Sequence, residues 1–427
     1  MTKRRLLVGL AAAILAGAAV LAGLLLGAFD TTVVSKTTAT PLPANEMKRL
    51  AERGTYVAKV ADCYACHTAK GGAPWAGGMP FETPFGTIYA TNISPDKDFG
   101  IGRWTREEFH RAVRDGVGKG ETHLYPAMPY TSYRQMLPED VDAIFAYLMT
   151  REPMRVENSR NKLPFPFNIR SSLAFWNLVN LRRDGFKSDP VRSEIWNRGR
   201  YIVDALAHCG ECHTPRNVME AMKQTDYLKG AVMERIEAPD ITTAGLRHMG
   251  FDPPTLARFM KTGLSAQGSM TNQMFEVVHF STQYMRDEDL KAMAAYLFDL
   301  DSMPQTESVA RALAPAEMSE AVADTARATY GNLCSGCHGS GGQGMPHVAV
   351  PLSTNASLRL ASPRNLIQAV LHGIPAQQFP GLERMEPMPA FADLLDDQAI
   401  ADLANWMRAH WGGQPPRVTA ADIAKLR

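Results

Sequence analysis

The chain has 427 residues, more than a single domain usually holds, so its length predicts two to four domains. Its 45 basic and 44 acidic side chains nearly cancel, which argues against a nucleic-acid-binding protein, because such proteins carry an excess of positive charge. A hydrophobic content of 45% with 21% charged residues is typical of a globular protein.

The N-terminal segment, residues 1–35, is predicted to be a signal-anchor helix. Residues 6–29 carry no charged side chain, and as a helix they would span about 36 Å, enough to cross a bilayer core of about 30 Å. The positive-inside rule keeps the preceding stretch MTKRR in the cytoplasm, so the chain after Asp30 is expected to be exported. A cleaved signal peptide is the alternative, although its apolar core is usually about 7–15 residues long, and Leu26 stands where a small residue is expected.

Three short motifs use all six cysteines of the chain. They read DCYACHTA, HCGECHTP and LCSGCHGS, and in each a histidine directly follows two cysteines that are separated by two residues. A structural disulfide would not explain the histidine, a zinc site needs four ligands where the motif offers three, and a thioredoxin-type dithiol expects a βαβ pattern that the sequence lacks. The pattern is typical of covalent haem c, in which both thiols form thioethers and the histidine binds iron.

We therefore predict three covalently bound haem c groups. The expected thioether anchors are Cys63, Cys66, Cys209, Cys212, Cys334 and Cys337, and the expected proximal iron ligands are His67, His213 and His338. Haem bound in this way performs one-electron redox chemistry, so the motifs predict a role in electron transfer.

Each motif lies within a repeated pattern of helices. A helical stretch precedes the motif, and an amphipathic helix, with apolar residues three and four positions apart, closes the repeat. The closing helices are predicted at 139–149, 288–298 and 398–408. Between motif and closing helix a further helix is predicted, with starts at Thr105, Asp252 and Ser362 and stops at Gly116, Gly263 and Gly373. The stretch FGTIYATNIS is predicted as a short hairpin, with no larger strand pairing.

The pattern predicts an all-α protein with three tandem class I cytochrome c-like domains after the anchor helix. The domains are assigned to residues 44–155, 190–302 and 322–413, with linkers near 151–192 and near 301–324.

The helices before and after each motif are predicted to cross closely. Gly54 and Gly199 come shortly before their motifs, while Tyr147, Tyr296 and Trp406 occupy matching places in the closing helices. A glycine that faces an aromatic ring would allow the two helix backbones to approach each other.

The sixth position of each iron is predicted to be filled by a methionine from the chain after the motif. Met128 lies 61 residues after His67, Met274 lies 61 residues after His213, and Met388 lies 50 residues after His338. The alternatives that stay open are Met270 and Met385 as methionine ligands, and His123, His279 and His372 as second histidine ligands.

Several longer stretches resemble a known family, the membrane-bound triheme cytochrome c subunits of periplasmic alcohol, aldehyde, gluconate, sorbitol and fructose dehydrogenases. The similarity covers about residues 48–412 and is carried by DCYACHTAKGGAPWAGGMPFETPFGTIYATNISPD, YPAMPYTSY, HCGECHTPRN, MFEVVHFSTQYM and PMPAFADLLDDQAIADLANWMRAHWG. The segment MFEVVHFS matches the second methionine segment of the family, which favours Met274. The stretch LRHMGFDPPTLARF departs from the GIGRW start of the first repeat, at the edge of the second haem pocket.

The resemblance implies that a separate catalytic subunit, with pyrroloquinoline quinone, flavin or molybdenum as its cofactor, oxidises the substrate, and it leaves room for a small third subunit. Electrons would pass through the haems to ubiquinone in the inner membrane, with the chain anchored on its periplasmic side. The sequence has no dinucleotide fingerprint and no acid–base constellation for substrate oxidation, so no catalytic residue is assigned. Two alternatives stay open: a subunit that delivers electrons to a terminal oxidase, and a haem enzyme with one open iron site.

Overall fold

The computed structural model describes Gly17 and residues 43–182, 184–233 and 235–427. The predicted anchor at residues 1–35 lies outside the described residues, apart from Gly17. Within the ranges that are described, no helix combines the length and apolar character that a membrane crossing requires. The chain divides into two compact units, Met1–Lys187 and Ser188–Arg427.

In its described residues, the first unit consists of helices with two short antiparallel hairpins. Its helices are α1 Ala44–Val60, α2 Cys63–His67, α3 Arg106–Asp115, α4 Tyr130–Tyr133, α5 Pro138–Leu148 and α6 Ser172–Asn180. Its hairpins pair β1 Pro80–Thr83 with β2 Gly86–Tyr89, and β3 Val117–Gly118 with β4 Thr122–His123. The second strand of the first hairpin lies in FGTIYATNIS, where the sequence predicted a short hairpin.

The second unit contains two further rounds of the order helix, motif turn, middle helix and closing helix, with additional short helices between them. Its α-helices are α7 Glu194–Tyr201, α8 Gly210–His213, α9 Thr243–Met249, α10 Pro253–Thr262, α11 Asn272–Phe280, α12 Asp287–Leu297, α13 Glu320–Leu333, α14 Ser335–His338, α15 Ala356–Arg359, α16 Arg364–His372, α17 Asp397–Gly412 and α18 Ala420–Ala424. A π-helix, Ile202–Leu206, continues α7, and 3₁₀ turns occur at Gln224–Asp226, Thr282–Tyr284 and Pro380–Leu382.

The described strands of the second unit form three two-stranded antiparallel hairpins. They pair β5 Ala231–Met233 with β6 Ile236–Ala238, β7 Leu264–Ser265 with β8 Gly268–Ser269, and β9 Gln377–Phe379 with β10 Glu383–Met385. The two shorter hairpins, β3–β4 and β7–β8, each follow a helix that ends in glycine.

The predicted helix boundaries hold where a side chain caps the helix. The Thr105 hydroxyl accepts a hydrogen bond from the backbone N–H of Glu108, and the Glu108 carboxylate accepts one from the N–H of Thr105, which completes a capping box. The Asp252 carboxylate caps α10 by accepting one hydrogen bond from the backbone N–H of Thr255. The prediction at Ser362 was wrong by one position, because Pro363 is the N-cap and α16 begins at Arg364.

A glycine at each of two helix crossings permits backbone contact. Helix α1 packs on α5, and a Cβ atom at Gly54 would overlap the carbonyl oxygen of Ala143 and lie 2.7 Å from the Cβ of Tyr147. Helix α7 packs on α12 with the same geometry: a Cβ at Gly199 would overlap the carbonyl of Ala292. The predicted close crossing is thus confirmed for both glycines.

The third crossing, between α13 and α17, is built from aromatic rings. The rings of Tyr330 and Trp406 lie 5.2 Å apart, and Ala326 is buried in the same cluster. Trp406 therefore lies at the helix crossing, as the sequence predicted. Among the described residues, no glycine faces it as closely as Gly54 faces α5.

An ion pair spans each of the two glycine crossings. The Arg53 guanidinium donates to Asp140 at 2.5 and 2.9 Å, and that of Arg198 forms a two-pronged contact with Asp289 at 2.6 and 2.9 Å. Both carboxylates are buried while both arginines reach the surface, so each pair fixes the start of a closing helix against the helix before the motif.

The segment that the sequence assigned to a linker carries a helix, α6, that belongs to the first unit and contacts α4 there. The hydroxyl group of Tyr130 donates to the side-chain carbonyl of Asn177 at 2.8 Å, and its ring meets that of Trp176 edge to face. Helix α6 was not predicted, because the linker interpretation rested on the Arg, Pro and Asn content of 151–192.

Replacing Gly54 or Gly199 with alanine is expected to lower the free energy of unfolding by about 2 kcal/mol or more, because the methyl group must force the helix backbones apart. Gly331 is the matched control: it lies exposed in α13, and a Cβ there would meet nothing within 4 Å. Gly331→Ala should be neutral or stabilise by up to about 1 kcal/mol. Denaturant unfolding of the three variants measures this, and equal effects at all three positions would contradict the close crossing.

Candidate haem c sites

Each Cys–x–x–Cys–His motif lies on one short turn of helix that follows a longer helix. Helix α2 spans the first motif from Cys63 to His67, while α8 and α14 contain the histidine ends of the second and third motifs. None of the six cysteines, all of which lie among the described residues, forms a disulfide bond. In the first motif Cys63 and Cys66 are both helical and three residues apart, so they face the same side of α2. In the other two motifs the first cysteine is the N-cap of the short helix.

The three histidines are oriented by the same hydrogen bond. The Nδ1 atom of His67 lies 2.7 Å from the carbonyl oxygen of Thr91, and that of His213 lies 2.7 Å from the carbonyl oxygen of Pro239. In the third motif, the Nδ1 of His338 lies 3.0 Å from the carbonyl oxygen of Val350. Because a carbonyl oxygen can only accept, each Nδ1 carries the proton, and the lone pair is left on Nε2.

The surroundings of the histidines keep their rings neutral. Burial lowers the pKa of His67, His213 and His338 below the usual value, and the hydrogen bond to the carbonyl opposes this shift only in part. A neutral imidazole with its Nδ1–H on a backbone carbonyl is the form that binds a metal through Nε2. The three rings thus fit the part of an iron ligand.

The first cysteine of each motif is protonated at neutral pH before any thioether forms. Burial raises the pKa of Cys63 and of Cys209 to about 12, and that of Cys334 to about 11. A nucleophilic or redox-active cysteine requires a lowered pKa, so this geometry does not fit a thioredoxin-type dithiol.

The methionine segments of the first two repeats start from the same backbone arrangement. Helix α3 ends at Gly116 and helix α10 at Gly263, both in the left-handed conformation, and each is followed by a short hairpin. One backbone hydrogen bond closes each hairpin. The N–H of Leu124 donates to the Gly116 carbonyl at 2.7 Å in the first repeat, and the N–H of Met270 donates to the Gly263 carbonyl at 2.9 Å in the second. Met270 is therefore the structural counterpart of Leu124.

This register pairs the predicted ligands of the two repeats. Met128 lies four residues after Leu124, and Met274 lies four residues after Met270. Both are half-buried, whereas Met270 is 5% exposed within the core. The backbone thus supports the choice of Met274 over Met270 without the spacing argument.

The third repeat differs in its hairpin. Met388 exchanges two backbone hydrogen bonds with Ile374, at 3.0 and 2.9 Å, directly after the helix-ending Gly373. Met388 therefore lies at the base of the β9–β10 hairpin and not four residues beyond it. The rival Met385 lies farther along the same hairpin, where it pairs with Gln377.

The three alternative histidines lie in different settings. His123 is buried in β4, and His372 is exposed at the end of α16. His279 is exposed on α11, where its ring stacks on that of Phe275 with the ring centroids 5.9 Å apart. These positions share no common relation to the motifs, unlike the methionine segments of the first two repeats.

Sequence reasoning missed the residues whose carbonyl groups orient the histidines. A repeated signal does exist, since Thr91, Pro239 and Val350 begin the segments TNIS, PDIT and VPLS. Each segment has an aliphatic residue in third place and a hydroxyl residue in fourth place. An internal alignment of the three repeats would have found it.

Comparisons with known proteins agree with this geometry. Residues 51–152 match the family model of cytochrome c, and residues 321–407 match that of cytochrome c oxidase, cbb3-type, subunit III. Among curated proteins, the cytochrome subunit of fructose dehydrogenase from Gluconobacter japonicus is 36% identical over 413 residues, which cover 91% of this chain and 84% of that protein.

Two further relatives extend the comparison. The cytochrome c subunit of gluconate 2-dehydrogenase from Pantoea cypripedii is 36% identical over 402 residues, which cover 88% of this chain and 89% of that protein. One of the subunits of nicotinate dehydrogenase from Pseudomonas putida is 38% identical over 367 residues, which cover 86% of this chain but 30% of that longer protein. The resemblance that the sequence motifs carry is thus confirmed, and the chain belongs to the family of cytochrome c subunits of dehydrogenases.

Proposed function

We propose that this chain carries three covalently bound haem c groups and passes electrons from a partner dehydrogenase to membrane ubiquinone. Three tandem class I cytochrome c domains, at residues 44–155, 190–302 and 322–413, would each hold one haem. The observation that carries the proposal is one arrangement that occurs three times. In each case a cysteine pair at a helical turn is followed by a neutral histidine whose Nδ1 is hydrogen-bonded to a backbone carbonyl.

Each residue of the motif has a definite part in this proposal. The two sulfur atoms would anchor the haem covalently, and the histidine Nε2 would bind the iron on one side. Met128, Met274 and Met388 would supply the sulfur on the other side. When bound, the haem supplies one-electron redox chemistry. The chain orients the histidine, shields it from water and presents the methionine.

The relatives and the N-terminal sequence support the proposed partner and acceptor. The relatives that match over most of both chains are named as cytochrome subunits of fructose, gluconate and alcohol dehydrogenases. These names support a partner chain that would oxidise the substrate with a pyrroloquinoline quinone, flavin or molybdenum cofactor. The uncharged run at residues 6–29 supports anchoring in the inner membrane, with the haem domains on the periplasmic side and ubiquinone within reach.

Delivery of electrons to a terminal oxidase is the second candidate, because residues 321–407 match a family model named for an oxidase subunit. That match covers one repeat, whereas the dehydrogenase cytochrome subunits match over about nine-tenths of the chain. The longer similarity favours the dehydrogenase assignment.

A quinone reaction separates the two candidates. Haems of the complete complex, reduced with a limiting amount of dithionite under argon, are expected to be reoxidised by a ubiquinone analogue at a rate that rises with quinone concentration. The absorption of ferrous haem c in a stopped-flow instrument reports this. Haems that stay reduced with quinone, but are reoxidised when oxidase-containing membranes and oxygen are added, would contradict quinone reduction and favour the second candidate.

Met274→Leu is expected to remove one sulfur ligand while it nearly conserves side-chain volume. The oxidised protein should lose about one-third of its far-red methionine–iron band, since one ligand in three is removed, and one haem potential should fall. Visible spectra and a redox titration measure both effects.

Met270→Leu is the matched control, and it should leave the spectrum and the potentials nearly unchanged. If Met270→Leu removed the band and Met274→Leu did not, the backbone register of the second repeat would not determine the ligand.

A further inference from the structure

We propose that the β9–β10 hairpin of the third repeat holds the sixth-ligand segment of the second repeat in place, with Gln377 and Phe379 as positioning residues for Met274. This inference rests on the proposed function, because it assumes that Met274 faces an iron atom. It adds that the ligand geometry of the second site depends on side chains from the third repeat.

The first contact is a hydrogen bond between the two repeats. The side-chain amide of Gln377 donates from Nε2 to the carbonyl oxygen of Met270 at 3.2 Å, and both residues are 5% exposed. The N–H of Met270 donates a hydrogen bond to the carbonyl of Gly263, within its own repeat. The peptide groups on both sides of Met270 are therefore fixed, one by its own repeat and one by the hairpin, four residues before Met274.

The second contact is aromatic and lies on the other side of the methionine. The rings of Phe379 and Phe275 meet edge to face with centroids 5.3 Å apart, and Phe275 directly follows Met274. Phe379 also covers Gly263, where a Cβ atom would lie 2.7 Å from the Cδ1 of Phe379. Met274 thus lies between two points of the chain that β9 contacts.

Other contacts hold the hairpin of the second repeat against the third. The N–H of Ala356 donates to the carbonyl of Gln267 at 2.9 Å, and the Thr354 hydroxyl donates to the carbonyl of Ala266. The Asn355 side chain packs on Gly268, where a Cβ would lie 2.8 Å from its Nδ2. The third repeat therefore contacts the segment from Ala266 to Phe275 near its start, at Met270 and at its end.

The first repeat supports its methionine segment with a different element. The guanidinium group of Arg170 donates to the carbonyl of His123 at 2.8 Å, and the Tyr125 hydroxyl donates to the carbonyl of Phe167 at 2.9 Å, on either side of the start of that segment. In both repeats, chain that follows the closing helix holds the methionine segment, which indicates that the segment alone does not fix its own position.

The hairpin also links the two later sites to each other. Strand β9 contacts the Met270–Phe275 segment, while its partner strand β10 leads to Met388, which is bound to Ile374 at the hairpin base. A displacement of β9 would therefore move the methionine segment of the second repeat. The same hairpin also contains the methionine segment of the third repeat.

The test uses Gln377→Met, which removes the donor with little change of volume, in the full chain with its haems attached. We expect the far-red methionine–iron band to fall by up to about one-third and one haem potential to shift, while the number of covalent haems stays unchanged. Gln378→Met is the matched control: the neighbouring residue on the same strand is exposed, and its replacement should change nothing. Phe379→Leu provides a second route to the same expected shift, should the first variant accumulate poorly.

A double-mutant cycle separates positioning from general support. In a Met274→Leu background, Gln377→Met should cause no further loss of the band, because the ligand that it positions is already absent. An unchanged spectrum and unchanged potentials in both Gln377→Met and Phe379→Leu would overturn the inference. If Met274→Leu itself left the band intact, the proposed ligand would be wrong, a failure distinct from that of the hairpin.

Discussion

The hydrogen bond from a histidine Nδ1 to a backbone carbonyl is the interaction on which the three candidate sites depend. It fixes the tautomer, points Nε2 away from the protein backbone and orients the ring, which a short helical turn alone could not do. The acceptor lies 24 residues beyond the histidine in the first repeat, 26 in the second and 12 in the third. The loop that supplies the carbonyl must therefore pack against the histidine of the motif. The remaining elements of each repeat hold that loop in place.

The helix pair around each motif provides the rigid base for that return. In two repeats a glycine lets the backbones touch, and a buried aspartate binds an arginine across the same pair of helices. Such pairs contribute modestly to stability when one partner is exposed, but the removal of the arginine would leave a buried carboxylate without that partner. The helix crossing that precedes each of these two motifs therefore has a closely fixed geometry.

The sequence predicted those parts of the fold that local chemistry determines. The capping box at Thr105, the glycine ends at Gly116 and Gly263 and the close approach at Gly54 follow from residue type and spacing, and the structure confirms them. Helix α6 escaped prediction because its stability comes from contacts with Tyr130 and its neighbours and not from a strong pattern of its own. The packing of Gln377 on Met270 joins residues that are 107 positions apart, and no single-sequence periodicity encodes such a contact.

The proposal's central claim, that all three motifs hold haem covalently, is tested most directly by the intact mass of the chain after denaturation without reducing agent. The account predicts the mass of the polypeptide plus three haems, and the loss of one haem when both cysteines of any one motif are replaced with alanine. A mass that corresponds to two or fewer haems, from cells with intact cytochrome c maturation, would contradict it for at least one motif. The same spectrum reports whether the N-terminal segment is retained.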